Sequence, residues 1–180
     1  MNRAKVKLLE QRVAIYHDQR LEKLFLSESV ALEAVCRRTK DPVPYAARQE
    51  GEFKPVREGD WWGDEWDSAW MHITGTVPSA WKGEKVVAQL DFNGEGLVFS
   101  DTGVPLQGVS NGSVFSFQTS RSVYPLYEAC QGGERVDLWV EAAANHLFGI
   151  TREPDAGPEC PKRHGHYEGK VNKLRLAVFD

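Results

Sequence analysis

Apolar residues at the start of the chain recur at the spacing of an amphipathic helix. Between Ala4 and about Phe25, one stripe collects Val6, Leu9, Val13, Tyr16 and Leu24, and Leu8, Ile15 and Leu21 widen it. The pattern predicts a helix of about 20 residues within a segment that we take as residues 1–28. A helix with a broad apolar stripe gains most of its stability from packing. We therefore expect it to pack on or beside its own domain, on a neighbouring domain or on a second copy of itself.

After residue 28 the pattern changes to an alternation of apolar and polar residues, which is typical of strands with one buried face. The predicted strands cover residues 30–40, where Asp41-Pro-Val-Pro ends the first of them, and residues 69–77, 85–92, 97–100, 104–108, 113–118, 122–129, 135–141 and 174–180. The turn at Asp101-Thr-Gly predicts a hairpin with glycine in a left-handed conformation, and Pro105 places the second strand of that hairpin at a sheet edge. Together these elements predict a mainly β fold: an antiparallel two-sheet β-sandwich of jelly-roll type over residues 29–180, preceded by one N-terminal α-helix.

The alternation also predicts which side chains face the core. The inward set comprises Met71, Ile73, Val77, Val86, Ala88, Leu90, Phe92, Val136, Leu138, Val140, Leu174, Leu176 and Val178. Trp70 and Trp139 fall on the opposite faces of their strands. Because a bare face with large aromatic side chains is unusual, we expect a second layer or a partner to cover them.

Two stretches show no sustained period. Residues 41–68 contain three prolines, and we expect a long, ordered but irregular connection there, anchored by Tyr45, Phe53 and the tryptophans. Residues 151–169 are rich in Pro, Gly and charge, and we assign them no regular structure.

The composition describes one soluble globular domain. Of the 180 residues, 41% are hydrophobic and 27% are charged, and a chain of this length buries roughly two-thirds of its unfolded surface. The net charge of −4, without clusters of Lys and Arg, argues against nucleic acid as a partner. The start of the sequence has no signal-peptide core and no run approaches about 18 apolar residues, so we expect a cytoplasmic protein with no membrane partner. The distant cysteines Cys36, Cys130 and Cys160 are typical of reduced thiols.

Candidate binding chemistry is concentrated in residues 59–68. Trp61, Trp62 and Trp66 could stack on sugar rings while Asp64 and Glu65 accept hydrogen bonds from sugar hydroxyls, which would make a carbohydrate-binding site. The same rings could instead close one end of the sandwich by burying apolar area. We keep both interpretations and favour packing or domain contact.

Catalytic and metal chemistry have less support in the sequence. A retaining glycosidase needs two carboxyl groups about 5 Å apart, whereas Glu95 and the acidic loop residues are more simply explained as turn and solvated residues. Cys160, His164 and His166 supply thiolate and imidazole ligands but lack a fourth partner. His72 is expected to be a hydrogen-bonded histidine. We therefore predict no catalytic residue and no metal site in this chain.

An ordered series of short motifs runs through the chain. It begins with Trp62-Gly, Trp66, Trp70-Met-His-Ile and Val-Pro at 77 and 78, continues with Leu90-Asp-Phe-Asn-Gly-Glu-Gly-Leu-Val-Phe-Ser-Asp-Thr-Gly-Val-Pro-Leu-Gln-Gly, and then shows Gly133-Glu, Val140-Glu-Ala-Ala-Ala-Asn and Phe148-Gly. Leu174-Arg-Leu-Ala-Val-Phe-Asp closes it. In this order, the series resembles the N-terminal domain of α-mannosidases of glycoside hydrolase family 38.

The resemblance implies a galactose-binding-like β-sandwich ahead of a catalytic α/β barrel. The implied enzyme hydrolyses α-D-mannosidic bonds with retention of configuration and uses a divalent metal, usually zinc. In that family the nucleophile and the metal ligands belong to the barrel, which these 180 residues do not contain. No catalytic residue therefore carries over, and we expect the chain alone to be inactive and to hold no cofactor.

The resulting expectation is a non-catalytic domain that serves in docking or subunit assembly. Its partner would be the catalytic domain of the parent enzyme or another copy of itself. The alternative is a carbohydrate-binding module that uses the loop of Trp61, Trp62 and Trp66 to bind mannose-containing oligosaccharides.

Overall fold

The computed structural model describes residues 3–16, 25–111, 120–145 and 168–180. In these ranges the chain forms one α-helix and twelve β-strands. They are α1 Arg3–Tyr16, β1 Leu26–Ala31, β2 Glu33–Thr39, β3 Lys54–Val56, β4 Trp61–Gly63, β5 Ser68–Thr76, β6 Val86–Asp91, β7 Glu95–Phe99, β8 Pro105–Ser110, β9 Val123–Tyr127, β10 Arg135–Ala143, β11 Gly169–Lys170 and β12 Lys173–Phe179. Short 3-10 helices cover Tyr45–Ala47 and Ser79–Trp81.

The strands form two main antiparallel sheets that pack face to face. One has the order β1-β12-β6-β9 and the other has the order β3-β2-β5-β10-β7-β8, while β11 and β4 form a separate two-stranded ribbon. The predicted mainly β, jelly-roll sandwich is therefore confirmed. The central pair of the larger sheet, β5 and β10, is in register over nine residue pairs, from Arg135 opposite Thr76 to Ala143 opposite Ser68.

The core lies between the two sheets and contains the side chains that the alternation places inside. All members of the predicted inward set are buried and belong to one cluster. This outcome follows from the two-residue period of a strand, which sends alternate side chains to opposite faces.

The first predicted strand is wrong in its extent, because residues 30–34 belong to two strands in different sheets. β1 pairs with β12 in the four-stranded sheet and β2 pairs with β5 in the six-stranded sheet. The chain crosses between them at Leu32, whose backbone N–H donates to Leu174 O at 3.0 Å. Leu32 and Ala34 are both buried in the core, so the alternation continues through the crossing and conceals it.

The stretch predicted to be irregular over residues 41–68 also contains two short strands, β3 and β4. Each has three residues, which is too few for a period to be visible in the sequence. β4 pairs with β11, so Gly169, which was also predicted to lie in an irregular segment, is in a strand. Residues 151–167, the predicted strand at 113–118 and helix positions 17–24 lie outside the described residues.

The predicted hairpin is confirmed. Gly103 has a φ of +84°, a left-handed conformation that glycine adopts without a steric penalty. The Ser100 N–H donates to Val104 O at 2.9 Å across the turn. β8, which begins at Pro105, is an edge strand of the six-stranded sheet, as expected for a strand that contains proline.

The outer face of the six-stranded sheet carries a second apolar cluster of Trp70, Phe99 and Trp139. Val43, Tyr45 and Phe53 pack against these rings. They belong to residues 41–53, which we call the covering segment. The Trp70 indole N–H donates to Val43 O at 2.8 Å, and the Arg48 guanidinium lies over the rings of Tyr45 and Trp139 at 3.8 and 4.8 Å from their centroids. The expected second layer over the two tryptophans is thus supplied by the chain itself.

The described apolar side chains of helix α1 are mostly exposed. Leu8, Leu9 and Val13 are 48%, 50% and 68% exposed, and Val6 is half-buried. The expectation that this stripe packs on a partner surface therefore stays a prediction. Among the described residues, no helix is long and apolar enough to cross a lipid bilayer.

Candidate functional site

The tryptophan-rich stretch lies at the end of the sandwich where β5 begins, and its first two tryptophans have opposite environments. Trp62 is 3% exposed, and its indole N–H donates to Phe92 O at 3.0 Å. A side-chain Cβ on Gly169 would lie 2.5 Å from the Trp62 ring, so the backbone of β11 packs directly on it. Trp62 is therefore a core residue, which matches the packing interpretation for this ring.

Trp61 and Trp66 are the solvent-facing tryptophans of this stretch, at 48% and 59% exposed. Trp66 has a φ of +69°, which is uncommon for a bulky residue and costs about 1–3 kcal/mol. The surrounding backbone fixes this conformation, since the Trp66 N–H donates to Ala144 O at 2.9 Å and the Ala144 N–H donates to Asp67 O at 2.8 Å. The loop is thus held in one shape that leaves the Trp66 ring exposed.

The acidic residues of the stretch are organised by an arginine from β2. Arg38 contacts the carboxylates of Asp64 at 2.6 Å and Asp67 at 2.5 Å. Asp67 is buried, and it also accepts the Asp64 N–H at 2.7 Å. The Arg38 guanidinium lies over the Trp61 ring, 4.9 Å from its centroid. Asp64 therefore has a structural ion pair, although its side chain is 63% exposed, and Glu65 is half-buried.

The turn from β6 to β7 lies beside this loop. Glu95 accepts a hydrogen bond from Asn145 Nδ2 at 2.8 Å, which ties its carboxylate to the residues just after β10. Gly94 is required here, because a Cβ would lie 2.1 Å from Ala143 O. Trp66, Glu95 and Asn145 thus surround the same end of the central strands.

A network of amide side chains extends this end of the sandwich. Asn93 Nδ2 donates to Glu168 O at 2.7 Å, Asn111 Nδ2 donates to Asn93 Oδ1 at 3.2 Å, and Asn172 Nδ2 donates to Asp91 Oδ1 at 3.2 Å. The sequence did not indicate this network or Arg38, because the partners are far apart along the chain. It ties the turn after β6 to the segments that enter β11 and β12.

The remaining candidate groups have structural contacts. His72 Nε2 lies 2.8 Å from Asp137 Oδ1, and its ring stacks on Trp139 at a centroid distance of 4.4 Å. Cys36 and Cys130 are buried free thiols, and burial raises the pKa of Cys36 to about 12, partly opposed by Arg38. In the described ranges, no three His, Cys, Asp or Glu side chains come together to hold a metal ion. Cys160, His164 and His166 lie outside those ranges.

A cleft of about 710 Å³ lies away from the tryptophan end, beside β3. Leu32, Val56 and His72 are among its lining residues. At its rim, Glu58 accepts the Leu174 N–H at 2.7 Å and pairs with Arg175, and this hydrogen-bonded arginine lowers the pKa of Glu58. The cleft contains none of the site residues predicted from the sequence.

Comparison with known proteins identifies the sandwich. The sequence profile of the family described as "Alpha-mannosidase, jelly roll domain" matches residues 28–174. The chain belongs to this family. The resemblance noted from the motifs is confirmed. The match begins within β1, includes the tryptophan end and stops at the start of β12, whereas α1 lies before it.

Three relatives with α-mannosidase names match most of the chain. It is 33% identical to human α-mannosidase 2C1 over 146 residues, which cover 78% of the chain and 13% of the relative. It is 27% identical to α-mannosidase G of Dictyostelium discoideum over 138 residues, covering 77% and 12%. It is 28% identical to mouse α-mannosidase 2C1 over 144 residues, covering 78% and 13%. The chain thus matches a small part of each of these longer proteins.

Because Trp62 is buried whereas Trp61 and Trp66 are exposed, replacing each with alanine should lower the free energy of unfolding by different amounts. Trp62→Ala removes a buried ring and its hydrogen bond, so we expect a loss of about 3–5 kcal/mol in the free energy of unfolding. Trp61→Ala and Trp66→Ala remove exposed rings, and we expect each to cost less than about 1 kcal/mol. Urea unfolding followed by circular dichroism measures all three. Equal losses for the three variants would contradict this assignment.

Proposed function

We propose that this chain is a non-catalytic N-terminal jelly roll domain of an α-mannosidase and that it serves in domain docking or subunit assembly. The observation that carries the proposal is the family match over residues 28–174, which spans nearly the whole sandwich. The activity of the parent enzyme would be hydrolysis of α-D-mannosidic bonds with retention of configuration. A divalent metal such as zinc would be held by its catalytic domain, with no cofactor in this chain.

The carboxylates at the tryptophan end support a non-catalytic role. A retaining glycosidase needs one free nucleophile and one acid/base, about 5–5.5 Å apart. Asp64 and Asp67 share the same Arg38, and Asp67 is buried. Glu95 is bound by Asn145. These contacts use the carboxylates to fix the loop rather than to attack or protonate a substrate.

The exposed apolar residues support a role in docking or assembly. Leu9 and Val13 on α1, Leu106 on β8 and Trp61 and Trp66 on the loop are each about half or more exposed. Surfaces that leave several large apolar side chains in water are typical of contacts with other chains or domains. The helix is the clearest of these, because Leu9 and Val13 of its stripe face solvent.

The non-catalytic role predicts that the purified chain does not hydrolyse a nitrophenyl α-mannoside. With added zinc, nitrophenol release should equal that of a matched sample of the heat-denatured chain. Human α-mannosidase 2C1 in the same assay serves as a positive control. Release above the denatured sample that scales with chain concentration would contradict the proposal.

The assembly role predicts that the stripe of α1 drives self-association. The wild-type chain should scatter light as a species larger than the 20.3 kDa monomer at high concentration. Leu9→Gln combined with Val13→Gln should restore the monomer, whereas Lys7→Gln, on the opposite side of the helix, should leave the larger species intact. A wild-type chain that stays at 20.3 kDa at high concentration would count against this role.

Carbohydrate binding is a second candidate, favoured by the two exposed tryptophans. Trp61 and Trp66 lie on one loop with the exposed carboxylate of Asp64 between them in sequence. Exposed rings beside a hydrogen-bond acceptor suit the apolar faces and hydroxyls of a sugar. Trp62 is excluded from stacking by its burial, so the candidate site reduces to Trp61, Asp64, Glu65 and Trp66.

This second candidate predicts a saturable change in tryptophan fluorescence when mannose oligosaccharides are titrated into the chain. Trp66→Ala should remove most of the response, because it deletes the more exposed ring. Phe25→Ala removes an exposed aromatic residue elsewhere and should leave the response unchanged. A flat titration at millimolar sugar would eliminate carbohydrate binding.

A further inference from the structure

The outer face of the six-stranded sheet has one half that the covering segment leaves open. Across β10, β7 and β8, Glu141 lies opposite Leu97, and Leu97 lies opposite Gly108. Leu106 lies two residues before Gly108, which places it on the same face by strand alternation, next to the irregularity at which the register shifts and Pro105 comes opposite Phe99. We call these four residues the shelf. Leu106 is 47% exposed, and a Cβ on Gly108 would meet its nearest described atom at 4.0 Å, so the described residues leave the β8 side of the shelf open, while Leu97 and Glu141 are half-buried.

Glu141 is the carboxylate of the shelf, and no described Lys or Arg side chain forms an ion pair with it. It is half-buried, and within the described ranges it makes no hydrogen bond and no ion pair. Its neighbours across the strands are Trp70 and Leu97, and burial raises its pKa. A carboxylate in such surroundings is costly unless a cation and an apolar cover reach it. The shelf is therefore complementary to an apolar surface that carries Lys or Arg.

Helix α1 has a surface of this kind. Its stripe of Leu9 and Val13 is exposed, and Lys5 and Arg12 border the stripe on one side. These two cations are seven residues apart, so they lie on the same side of the helix and about 10 Å apart along its axis. Lys7 lies on the far side of the helix. The cations and the aliphatic side chains of α1 are thus arranged in one face.

The exposed stripe residues of α1 do not cover the shelf of their own chain. The helix precedes β1, an edge strand of the four-stranded sheet, and residues 17–24 between them lie outside the described residues. In the six-stranded sheet, β2 and β7 are separated by β5 and β10. The shelf lies on the outer face beyond them, and the stripe of α1 is exposed rather than packed on that face.

We propose that α1 of one copy docks on the shelf of a second copy, with its Lys5 and Arg12 side against Glu141. This proposal rests on the proposed role in subunit assembly and names the surface that receives the helix. A reciprocal exchange gives a two-fold dimer in which each copy supplies one helix and one shelf. Two contacts are needed because the area that one face of a 14-residue helix can bury is small compared with the roughly 1,200 Å² that stable interfaces bury.

Charge reversal tests the pairing. The first variant is Glu141→Lys, and the second is the double variant Lys5→Glu/Arg12→Glu. Each variant by itself should weaken dimerisation by about tenfold or more, since each places like charges together. An equimolar mixture of the two variants should dimerise again. In the mixed dimer, the reversed helix meets the reversed shelf, and the unchanged helix meets the unchanged shelf. Sedimentation velocity of the full chain measures the masses.

Matched controls separate a specific contact from a change in net charge. Lys7→Glu makes the same kind of reversal on the far side of α1, and Glu84→Lys reverses an exposed carboxylate away from the shelf. Both should dimerise as the wild type does. Glu141→Gln keeps the shape of the side chain without its charge and should weaken the dimer by a few fold, which keeps the test valid if Glu141→Lys does not fold.

The outcomes distinguish this proposal from the proposed function. If the stripe variant Leu9→Gln/Val13→Gln is monomeric while Glu141→Lys and Glu141→Gln dimerise as the wild type does, the helix assembles on another surface and the shelf proposal is wrong. If each charge variant is monomeric and their mixture is also monomeric, the direct pairing of Glu141 with Lys5 and Arg12 is contradicted. If the wild type is monomeric throughout, the assembly role and the shelf proposal both fail.

Discussion

The pairing of β5 with β10 is the interaction on which the rest of the domain depends. Around their middle these strands are buried on both faces, since Met71 and Val140 join the core between the sheets while Trp70 and Trp139 form the aromatic cluster outside. A register shift of one residue would exchange the two faces and place indole rings between the sheets. The nine-residue register is therefore fixed by packing on both sides.

The same pair positions the candidate site. Where the β5–β10 ladder ends, Asp67 and Ala144 continue its hydrogen bonding, and Ala144 then accepts the N–H of Trp66. The loop with the exposed tryptophans is thus an extension of the central ladder rather than a free segment. Arg38 comes from β2, which pairs with the other side of β5. An ordered loop of this kind can present exposed rings to a partner without a large entropic cost on binding.

Much of the sandwich could be predicted because strand alternation is a local signal, and the failures occur where structure is not local. At Leu32 the alternation passes unbroken through a crossing between sheets, and β4 is too short to show a period. Predicting β4 would have separated Trp61 from Trp62, because neighbouring residues in a strand point to opposite faces. Arg38 could not be assigned to Asp64 from the sequence, since the two are 26 residues apart and only the register of β2 with β5 brings them together.

Two partly buried carboxylates elsewhere on the surface each have an arginine partner, and this comparison supports the proposed docking at the shelf. Asp67 forms an ion pair with Arg38, and Glu58 forms one with Arg175. The hydrogen bonds from Arg175 lower the pKa of Glu58. Each of these partly buried carboxylates is thus matched by an arginine of the same chain. Glu141 is half-buried as well, but its pKa is raised by burial and the described residues supply it with no cation. The proposed docking of α1 would place Lys5 and Arg12 of a second copy against this carboxylate, as Arg38 and Arg175 are placed against Asp67 and Glu58 within one chain.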